Sequence, residues 1–402
     1  MRLDAAAWRG RRGIARLLDA LGAADGLTRY VGGAVRDELL LLPVNDVDLA
    51  TRLRPDEVVE RLRAAGIKAV PTGIAHGTVT AISDDQPVEV TSLRRDVATD
   101  GRRATVAFTD DWMEDAARRD FTINALSADP ASGELFDYFG GLADLDARRV
   151  RFIGAPLERI AEDHLRILRF FRFHARFGAG APDAAALDAC AARANDLMAL
   201  SRERIADEML KLLAMPDPAP TLAIMLERDI LVPVLPEITP DRLGALGALI
   251  AAEVESGLGG DPLRRLSAAL PPDSAQAEKI AARLKLSNKA RKRLGCAAGR
   301  DCGASPEALA YRLGRDCAID RLLLAGRVAD AVAITGWAIP RLPIGGGKLI
   351  ARGLAEGPAV ARVLQAIERR WVDAAFPHGD AFERIVADEL GRFGVSPRRG
   401  AQ

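Results

Sequence analysis

The sequence has few residues suited to a sulfur or nitrogen metal site, and no long apolar stretch. Its four cysteines include no C-x-x-C pair, so it predicts neither a disulfide framework nor a zinc ribbon. Its four histidines lack H-E-x-x-H spacing, which argues against a zinc enzyme. No apolar run approaches the roughly 18 to 20 residues of a membrane span, and the arginine-rich start has no apolar signal core. We therefore expect a cytoplasmic protein with no membrane partner.

Charge of one sign is also absent, because Lys+Arg and Asp+Glu both number 56. This balance excludes a uniformly basic protein that coats nucleic acid, although a local basic groove is still possible. Hydrophobic residues make up 49% and charged residues 28%, which is a globular composition. A length of 402 residues favours two to four domains.

The two halves of the chain have different periodicities. Up to about residue 153, short β-rich runs alternate with helical patches, which predicts a mixed α/β domain. The predicted strands cover residues 29–31, 46–50, 78–82, 88–93, 133–138 and 150–152. Beyond residue 158 the apolar residues follow a period of 3.6, so the second half is predicted to be all-α. Residues 94–109 mix arginines with aspartates and predict a mobile loop near the site.

A Gly-Gly turn follows the first predicted strand. Gly32 and Gly33 would let backbone N–H groups approach a phosphate at the start of a helix. Arg36, one turn into that helix, could then hold phosphate oxygens with its forked guanidinium. The alternative is an ordinary turn in which Arg36 belongs to a solvated face.

A D-x-D motif comes shortly after this turn. Asp46 and Asp48 would project from the same face of a strand, where two close carboxylates repel unless a divalent cation lies between them. Mg²⁺ is the natural candidate, since it binds oxygen ligands and bridges protein carboxylates to substrate phosphates. A polar loop after Pro43 is the alternative. Glu89, on another alternating strand, is a weaker candidate for a third carboxylate.

Two further segments carry arginines beside acids. In the first, Arg119 lies next to Asp120, which could orient it, and Asn124 could meet a buried group or a ribose hydroxyl. A surface Arg–Asp pair is the alternative. In the second, the period of three predicts one polar stripe along a helix, with ordinary ion pairs such as Glu162–Arg166 as the alternative. The stripe comprises Asp163, Arg166, Arg169 and Arg172.

Together and in this order, the motifs of residues 27–240 resemble the class II tRNA nucleotidyltransferase and bacterial poly(A) polymerase family. The resemblance implies an α+β fold, with a polymerase β-like nucleotidyltransferase head followed by an elongated all-α neck, body and tail. It divides the chain into a head (residues 1–153), a neck that recognises the nucleotide base and binds RNA (154–240), and a body and tail that bind tRNA (241–402).

The resemblance also implies residue roles. Asp46 and Asp48 match the catalytic carboxylates that hold two Mg²⁺ ions. Asp163 and Arg166 match a pair that contacts the Watson–Crick edge of CTP or ATP. The other matching positions bind the nucleotide: Gly33, Arg36, Arg119, Arg169 and Arg172.

The implied reaction is the addition of C, C and A to the tRNA 3′ end from CTP and ATP, without a template. An Asp accepts from the exocyclic amine that cytosine and adenine share, whereas uracil and guanine present a carbonyl there. The helical half would hold the acceptor stem and TΨC arm, and the basic segment 283–293 is suited to phosphates or to a solvated helix face. Poly(A) polymerase and partial A-adding or CC-adding activity are the alternatives.

Overall fold

A computed structural model describes residues 2–3, 8–100 and 103–395. The chain forms two compact units, residues 1–236 and 237–402. In the first unit a mixed sheet is followed by helices, and the second unit is helical throughout its described residues. The predicted change from α/β to all-α is confirmed, while the finer division at residues 153 and 240 stays a prediction.

The strands of the first unit form a main sheet and a separate hairpin. The strands are β1 Thr28–Val31, β2 Asp48–Thr51, β3 Lys68–Gly73, β4 Thr78–Ser83, β5 Gln86–Ser92, β6 Arg94–Asp100, β7 Arg103–Phe108, β8 Ser127–Ala128 and β9 Leu135–Phe136. The main sheet has the order β3-β4-β5-β2-β1-β8-β9, and β6 and β7 form a separate two-stranded sheet.

Three strand or loop predictions need correction. Within the predicted loop at 94–109, residues 94–100 and 103–108 form the antiparallel strands β6 and β7, since valine and threonine favour extended backbone. Residues 101–102 of the predicted loop lie outside the described residues. The predicted strand at 133–138 is reduced to β9. Residues 150–152 form no strand and contribute only a bridge between Phe121 and Phe152.

The sheet register places the acidic residues of two strands side by side. Strand β2 lies antiparallel to β1 and parallel to β5, with Asp48 opposite Glu89. Val88 and Val90 are buried while Glu89 between them is exposed, because alternate residues of a strand point to opposite faces. Asp48 and Glu89 therefore share one face of the sheet.

Helices cover the sheet and complete the first unit. They are α1 Arg12–Ala20, α2 Gly33–Leu39, α3 Pro55–Ala64, α4 Trp112–Ala117, α5 Gly141–Asp146, α6 Pro156–Glu162, α7 Arg166–Phe177, α8 Ala184–Ala192, α9 Arg202–Leu213 and α10 Ala219–Glu227. The aromatic side of α7 anchors it: Phe170 lies 5.8 Å from the Phe152 ring and Phe173 lies 5.2 Å from the Phe121 ring. This packing fixes the polar side of α7 relative to the sheet.

The second unit is built from short helices. They are α11 Pro240–Ser256, α12 Pro262–Ala269, α13 Ser274–Arg283, α14 Asn288–Ala298, α15 Pro306–Leu313, α16 Arg315–Leu324, α17 Val328–Ala333, α18 Gly346–Ala351, α19 Pro358–Asp373 and α20 Gly379–Arg392. Near its end the buried Trp371 packs against Tyr311 and Phe376. The basic segment 283–293 is not one helix, because Lys285 has φ +54° in the turn between α13 and α14.

A disulfide joins Cys296 of α14 to Cys317 of α16. The two residues are 21 positions apart, a spacing that matches none of the short cysteine motifs, so the sequence did not predict this bond. In the described ranges no helix has the length and apolarity to span a bilayer.

Candidate active site

One cleft of about 690 Å³ in the first unit brings the predicted site residues together. Its lining consists of Gly32, Gly33, Arg36, Asp46, Asp48, Arg119, Asp120, Asn124, Asp163, Arg166, Arg169, Arg172 and Phe173. All ten residues proposed from the sequence are among them, although they lie up to 140 positions apart. Their individual roles stay predictions.

The two glycines at the start of α2 are not equivalent. Gly32 has φ +69°, a backbone conformation that favours glycine, and a Cβ there would lie 3.0 Å from a terminal nitrogen of Arg119, which would have to shift. Gly33 has no positive φ, and a Cβ would meet only Arg36 at an ordinary 3.5 Å. The Gly32 N–H donates to the Leu126 carbonyl at 3.0 Å and is not available to a phosphate.

Two of the cleft's carboxylates, Asp46 and Asp48, form no ion pair with a described residue. Asp48 is half-buried at the start of β2, and Asp46 precedes it at an exposed position. Burial raises the pKa of Asp48, the neighbouring Glu89 and Asp46 charges raise it further, and Arg119 partly opposes them. These acids therefore form a site that favours a cation.

The donor set fits a hard divalent cation that also binds substrate. Among the described residues, no three His, Cys, Asp or Glu side chains form a ready-made metal cluster. Mg²⁺-type sites need no such cluster, since one or two carboxylates combine with substrate phosphates and water. Asp46 and Asp48 as the oxygen ligands, and Glu89 as a third, stay predictions.

Arg36 is more constrained than a free phosphate clamp. The residue is 5% exposed, and its guanidinium carbon lies 4.1 Å from the centre of the Phe177 ring. Its Nε donates to Asp37 at 2.7 Å, and Nη1 donates to the side-chain oxygen of Asn124. Burial lowers the pKa of Arg36, although Asp37 opposes this effect. Arg36 is therefore held in the wall of the cleft by Asp37 and Asn124.

Arg119 is oriented by Asp115, not by Asp120 as the sequence suggested. Its Nη2 lies 3.3 Å from Asp115, four positions earlier, and its Nη1 donates to the Asn124 carbonyl at 3.4 Å. Both distances are long for a guanidinium hydrogen bond. Arg119 can therefore turn toward an anion in the cleft at small cost.

Asp120 instead organises the arginines of α7. It accepts from Nε of Arg169 at 2.9 Å and from the Asn124 amide at 2.9 Å. Burial alone would raise the pKa of Asp120, but Arg169 and these hydrogen bonds hold it below its usual value. Glu208 of α9 continues the network by accepting from Nε of Arg172 at 2.6 Å.

The polar stripe predicted as one helix is interrupted. Asp163 ends α6 with an extended φ of −153°, and its carboxylate and carbonyl accept from the backbone N–H groups of Leu165 and Arg166, where α7 begins. Arg204 of α9 donates to both Asp163 oxygens, at 2.8 and 3.1 Å. The alternative Glu162–Arg166 ion pair also forms, so Asp163 and Arg166 are held by different partners.

Sequence reasoning gave three supporting residues no role in the site: Asp115, Arg204 and Glu208. The i,i+4 spacing of Asp115 and Arg119 was a usable local signal. Arg204 contacts Asp163, 41 positions away, and Glu208 contacts Arg172, 36 positions away. No local sequence pattern predicts pairs at such separations.

Comparison with known proteins places this geometry in a family. Residues 28–151 match the family described as "Poly A polymerase head domain", and residues 182–242 match "Probable RNA and SrmB- binding site of polymerase A". The chain is 33% identical over 399 residues to the mouse protein named "CCA tRNA nucleotidyltransferase 1, mitochondrial", covering 94% of this chain and 88% of that protein. The chain belongs to the CCA tRNA nucleotidyltransferase family.

Two further relatives agree with this membership. The human protein of the same name is 46% identical over 188 residues, which are 46% of this chain and 43% of that protein. The crystal structure of the Bacillus stearothermophilus CCA-adding enzyme in complex with CTP has a TM-score of 0.76 and 25% identity, covering 96% of this chain and 99% of that one. The family resemblance and the expected head-and-helical-body fold are thus confirmed. Members of this family use a divalent metal cation.

Proposed function

We propose that this chain is a CCA-adding tRNA nucleotidyltransferase, which adds C, C and A to the 3′ end of tRNA from CTP and ATP. The observation that carries the proposal is the single cleft in which the D-x-D acids face the Asp163–Arg166 pair. Family membership supplies the reaction, and relatives named for CCA addition and a relative with bound CTP support it. The cytoplasmic compartment stays a prediction, since the mouse and human relatives carry mitochondrial names.

In the proposed reaction, the RNA 3′-hydroxyl oxygen bonds to the α-phosphorus and loses its proton. The bond from that phosphorus to the bridging oxygen breaks, and pyrophosphate leaves. No covalent enzyme intermediate is required. Asp46 and Asp48 would hold Mg²⁺, the cation we infer, which lowers the pKa of an attacking hydroxyl and offsets phosphate charge when bound.

The chain's own residues contribute mainly by positioning. Gly32 leaves space at the start of α2, and Arg119 next to it is loosely held, so a triphosphate can be drawn against this wall. Arg36 is locked by Asp37 and Asn124, so it supplies a fixed positive charge. A fixed Arg36 together with a movable Arg119 suits the binding of a triphosphate.

Base choice is assigned to Asp163 and Arg166. Arg204 holds the Asp163 carboxylate from one side, and Arg166 donates to the Arg159 carbonyl at 2.7 Å. An acceptor and a donor fixed in this way match the amine and ring nitrogen of cytosine and adenine. A uracil or guanine carbonyl facing Asp163 would leave two acceptors in contact, which is costly away from water.

The deciding experiment incubates the purified chain with Mg²⁺ and tRNA lacking its 3′ end, adding each nucleoside triphosphate alone and then in mixtures. Sequencing should show C, C and A followed by arrest. Long A tails would replace the proposal with poly(A) polymerase, and addition of A alone or C alone would indicate a partial activity. No addition with any nucleotide would remove the proposal.

Replacing Asp163 with alanine tests the assignment of base choice. We expect the preference for CTP over UTP in kcat/KM to fall by about a hundredfold or more, because the discriminating acceptor is lost. The variant Asp207→Ala, which removes an exposed carboxylate paired with Lys211, is the matched control and should keep the preference. Unchanged selectivity in Asp163→Ala would refute the assignment.

A further inference from the structure

One arginine outside the cleft connects the two ends of the proposed nucleotide site. We call Asp163 with Arg166 the base subsite, and the wall around Arg119 the triphosphate subsite. Arg159 lies in the last turn of α6, is not part of the cleft lining, and has 11% of its side chain exposed. Its backbone carbonyl holds Arg166, but the proposed reaction gives its guanidinium no role.

The Arg159 guanidinium binds the backbone at the end of α4. Its Nη2 donates to the Arg118 carbonyl at 2.6 Å and to the Arg119 carbonyl at 2.5 Å. Carbonyls at the end of a helix lack partners within the helix, and a cation near them also interacts favourably with the helix dipole. Arg159 therefore fixes the backbone that carries the Arg119 side chain, which lines the cleft.

The same residue also holds the arginine of the base subsite. Arg166 donates from Nη1 to the Arg159 carbonyl at 2.7 Å and to the Glu162 carboxylate. Glu162 accepts from Nη1 of Arg159 at 2.8 Å as well, so one carboxylate binds both arginines. Nη2 of Arg166 makes a long hydrogen bond of 3.4 Å to the Arg118 carbonyl, which Arg159 also holds. Arg159 is therefore bonded to both subsites.

A fixed distance between two subsites matters for a ligand that has two ends. Once one end is bound, the other end is at a high effective concentration, provided that the distance between the subsites matches the ligand. A misplacement of about 1 Å can cost about a hundredfold in a preorganised site. Arginine suits such a connection, because its planar guanidinium directs several donors at once, whereas a lysine ammonium is a single point charge.

We propose that Arg159 is a positioning residue that sets the distance between the base subsite and the triphosphate subsite. The inference rests on the proposed function for the assignment of these two subsites. Through its contacts, recognition of the base is coupled to binding of the triphosphate. Without them, each subsite should still bind its own part of CTP, but the two parts should no longer bind well together.

The first test measures binding of CTP, UTP and inorganic triphosphate to the full chain by calorimetry, with Mg²⁺ and without RNA. In Arg159→Lys we expect Kd for CTP to rise about tenfold, and the preference for CTP over UTP to fall by a similar factor. Kd for inorganic triphosphate should change less than about twofold, because Arg119 keeps its side-chain contacts with Asp115 and Asn124.

Arg151→Lys is the matched control. Arg151 also joins a carboxylate to a backbone carbonyl in the first unit, because its Nε donates to Asp144 at 2.9 Å and its Nη2 donates to the Phe139 carbonyl at 3.0 Å. It is not part of the cleft lining, so its variant should bind all three ligands as the unmodified chain does.

Three results would overturn the inference. They are unchanged CTP binding in Arg159→Lys, an equal loss for CTP and inorganic triphosphate, and an equal loss in the control variant. Thermal unfolding shows whether each variant is folded. Arg159→Gln, which can donate to one carbonyl without a buried charge, should give the same binding pattern and replaces Arg159→Lys if the lysine variant is unfolded.

The second test combines the Arg159 variant with Asp163→Ala. In that background the base subsite no longer selects its ligand, so the Arg159 substitution should raise Kd for CTP by less than about a further twofold. A further rise as large as in the unmodified background would show that the two residues act independently, and it would overturn the inference.

These binding tests use neither RNA nor transfer, so their failure differs from failure of the proposed function. If the unmodified chain adds C, C and A to tRNA but Arg159→Lys binds CTP normally, the positioning role of Arg159 fails and CCA addition stands. If the unmodified chain adds no nucleotide while the Arg159 variants bind CTP more weakly as expected, CCA addition fails and the positioning role stands.

Discussion

The two units both bury arginine–carboxylate networks, but they balance them differently. In the second unit, Arg264 pairs with Glu253 and Asp320 at 2.9 and 2.8 Å, and these three side chains are at most 7% exposed. Arg293 pairs with the other oxygen of Asp320 at 2.7 Å. In the first unit, Asp120 and Arg169 pair in a comparable way but line an open cleft.

The first unit differs in that it also holds acids, Asp48 and Glu89, that form no ion pair with a described residue. Asp48 faces Glu89 across the parallel strands, and its pKa is raised because burial and like charges disfavour ionisation. Buried ion pairs alone therefore do not mark a functional site in this chain. Uncompensated like charges at the edge of a cleft do, because a fold tolerates them only where a ligand provides the missing charge.

The sharpest test replaces Asp48 with asparagine. We expect nucleotidyl transfer to fall about a thousandfold or more, because a cation ligand is lost. Stability with chelator present should be unchanged or higher, since the variant removes a charge that the folded state disfavours. Transfer kinetics and thermal unfolding measure the two effects.

Asp56→Asn is the matched control, because Asp56 is exposed on α3. It should retain full transfer and the same unfolding temperature. If Asp48→Asn kept its activity, or if it strongly destabilised the unit, the contrast between uncompensated and balanced acids would be wrong.

The opposite result is expected for Asp320→Asn in the second unit. Removing this charge leaves the buried Arg264 and the half-buried Arg293 without full compensation, which should lower the free energy of unfolding of this unit by about 3 kcal/mol or more. Peptide-resolved hydrogen exchange of α16 reports this unit separately. Asp316→Asn, exposed on the same helix, should have little effect, and equal exchange in both variants would contradict the argument.

Lowering the pH should weaken the stabilisation that the Asp120 network gives to the first unit. The pKa of Asp120 is depressed in the folded chain, so its ionised form stabilises the fold above the unfolded pKa of about 3.9, and this contribution is lost as pH falls through the folded value. Asp120→Asn should therefore cost about 2 kcal/mol at pH 7 and progressively less toward pH 3.

Hydrogen exchange of α7 between pH 3 and 7, corrected for intrinsic rates, measures this difference. Asp146→Asn, which alters a carboxylate at the end of α5 away from the cleft lining, is the control and should show no such trend. A stability difference that is independent of pH would show that Asp120 contributes by shape and not by charge.

The sequence predicted the residues of the cleft better than it predicted the pairs that hold the surrounding helices together. Strong local patterns identified the D-x-D acids and the strands at 78–82 and 88–93, because alternation and turn residues act over a few positions. The Arg204–Asp163 pair depends on how α9 packs beside α7, and the Cys296–Cys317 bond depends on α14 meeting α16. Such pairings follow from tertiary packing, which local periodicity does not specify.

Backbone strain was equally unpredictable from the sequence, because non-glycine residues with positive φ occur in both units without a local signal. Helix α11 ends at Gly257 with φ +66°, whereas α2, which carries Arg36, is followed by Leu41 with φ +56°. The Leu41 N–H still donates to the Glu38 carbonyl at 3.0 Å, as in a glycine-capped helix, and the residue is 91% exposed. Leucine therefore has the strain of the left-handed region without packing to offset it.

Leu41→Gly should therefore stabilise the first unit, although only slightly. Relief of about 1 to 2 kcal/mol of strain is partly offset by the greater freedom of glycine in the unfolded chain, which leaves a gain of about 0.5 to 1 kcal/mol. Leu42→Gly, at the next position and outside the left-handed region, should instead destabilise the unit by a similar amount. Urea-dependent hydrogen exchange of α2 distinguishes the two variants. A loss of stability in Leu41→Gly would mean that the exposed leucine makes a contact that holds this turn in its strained form.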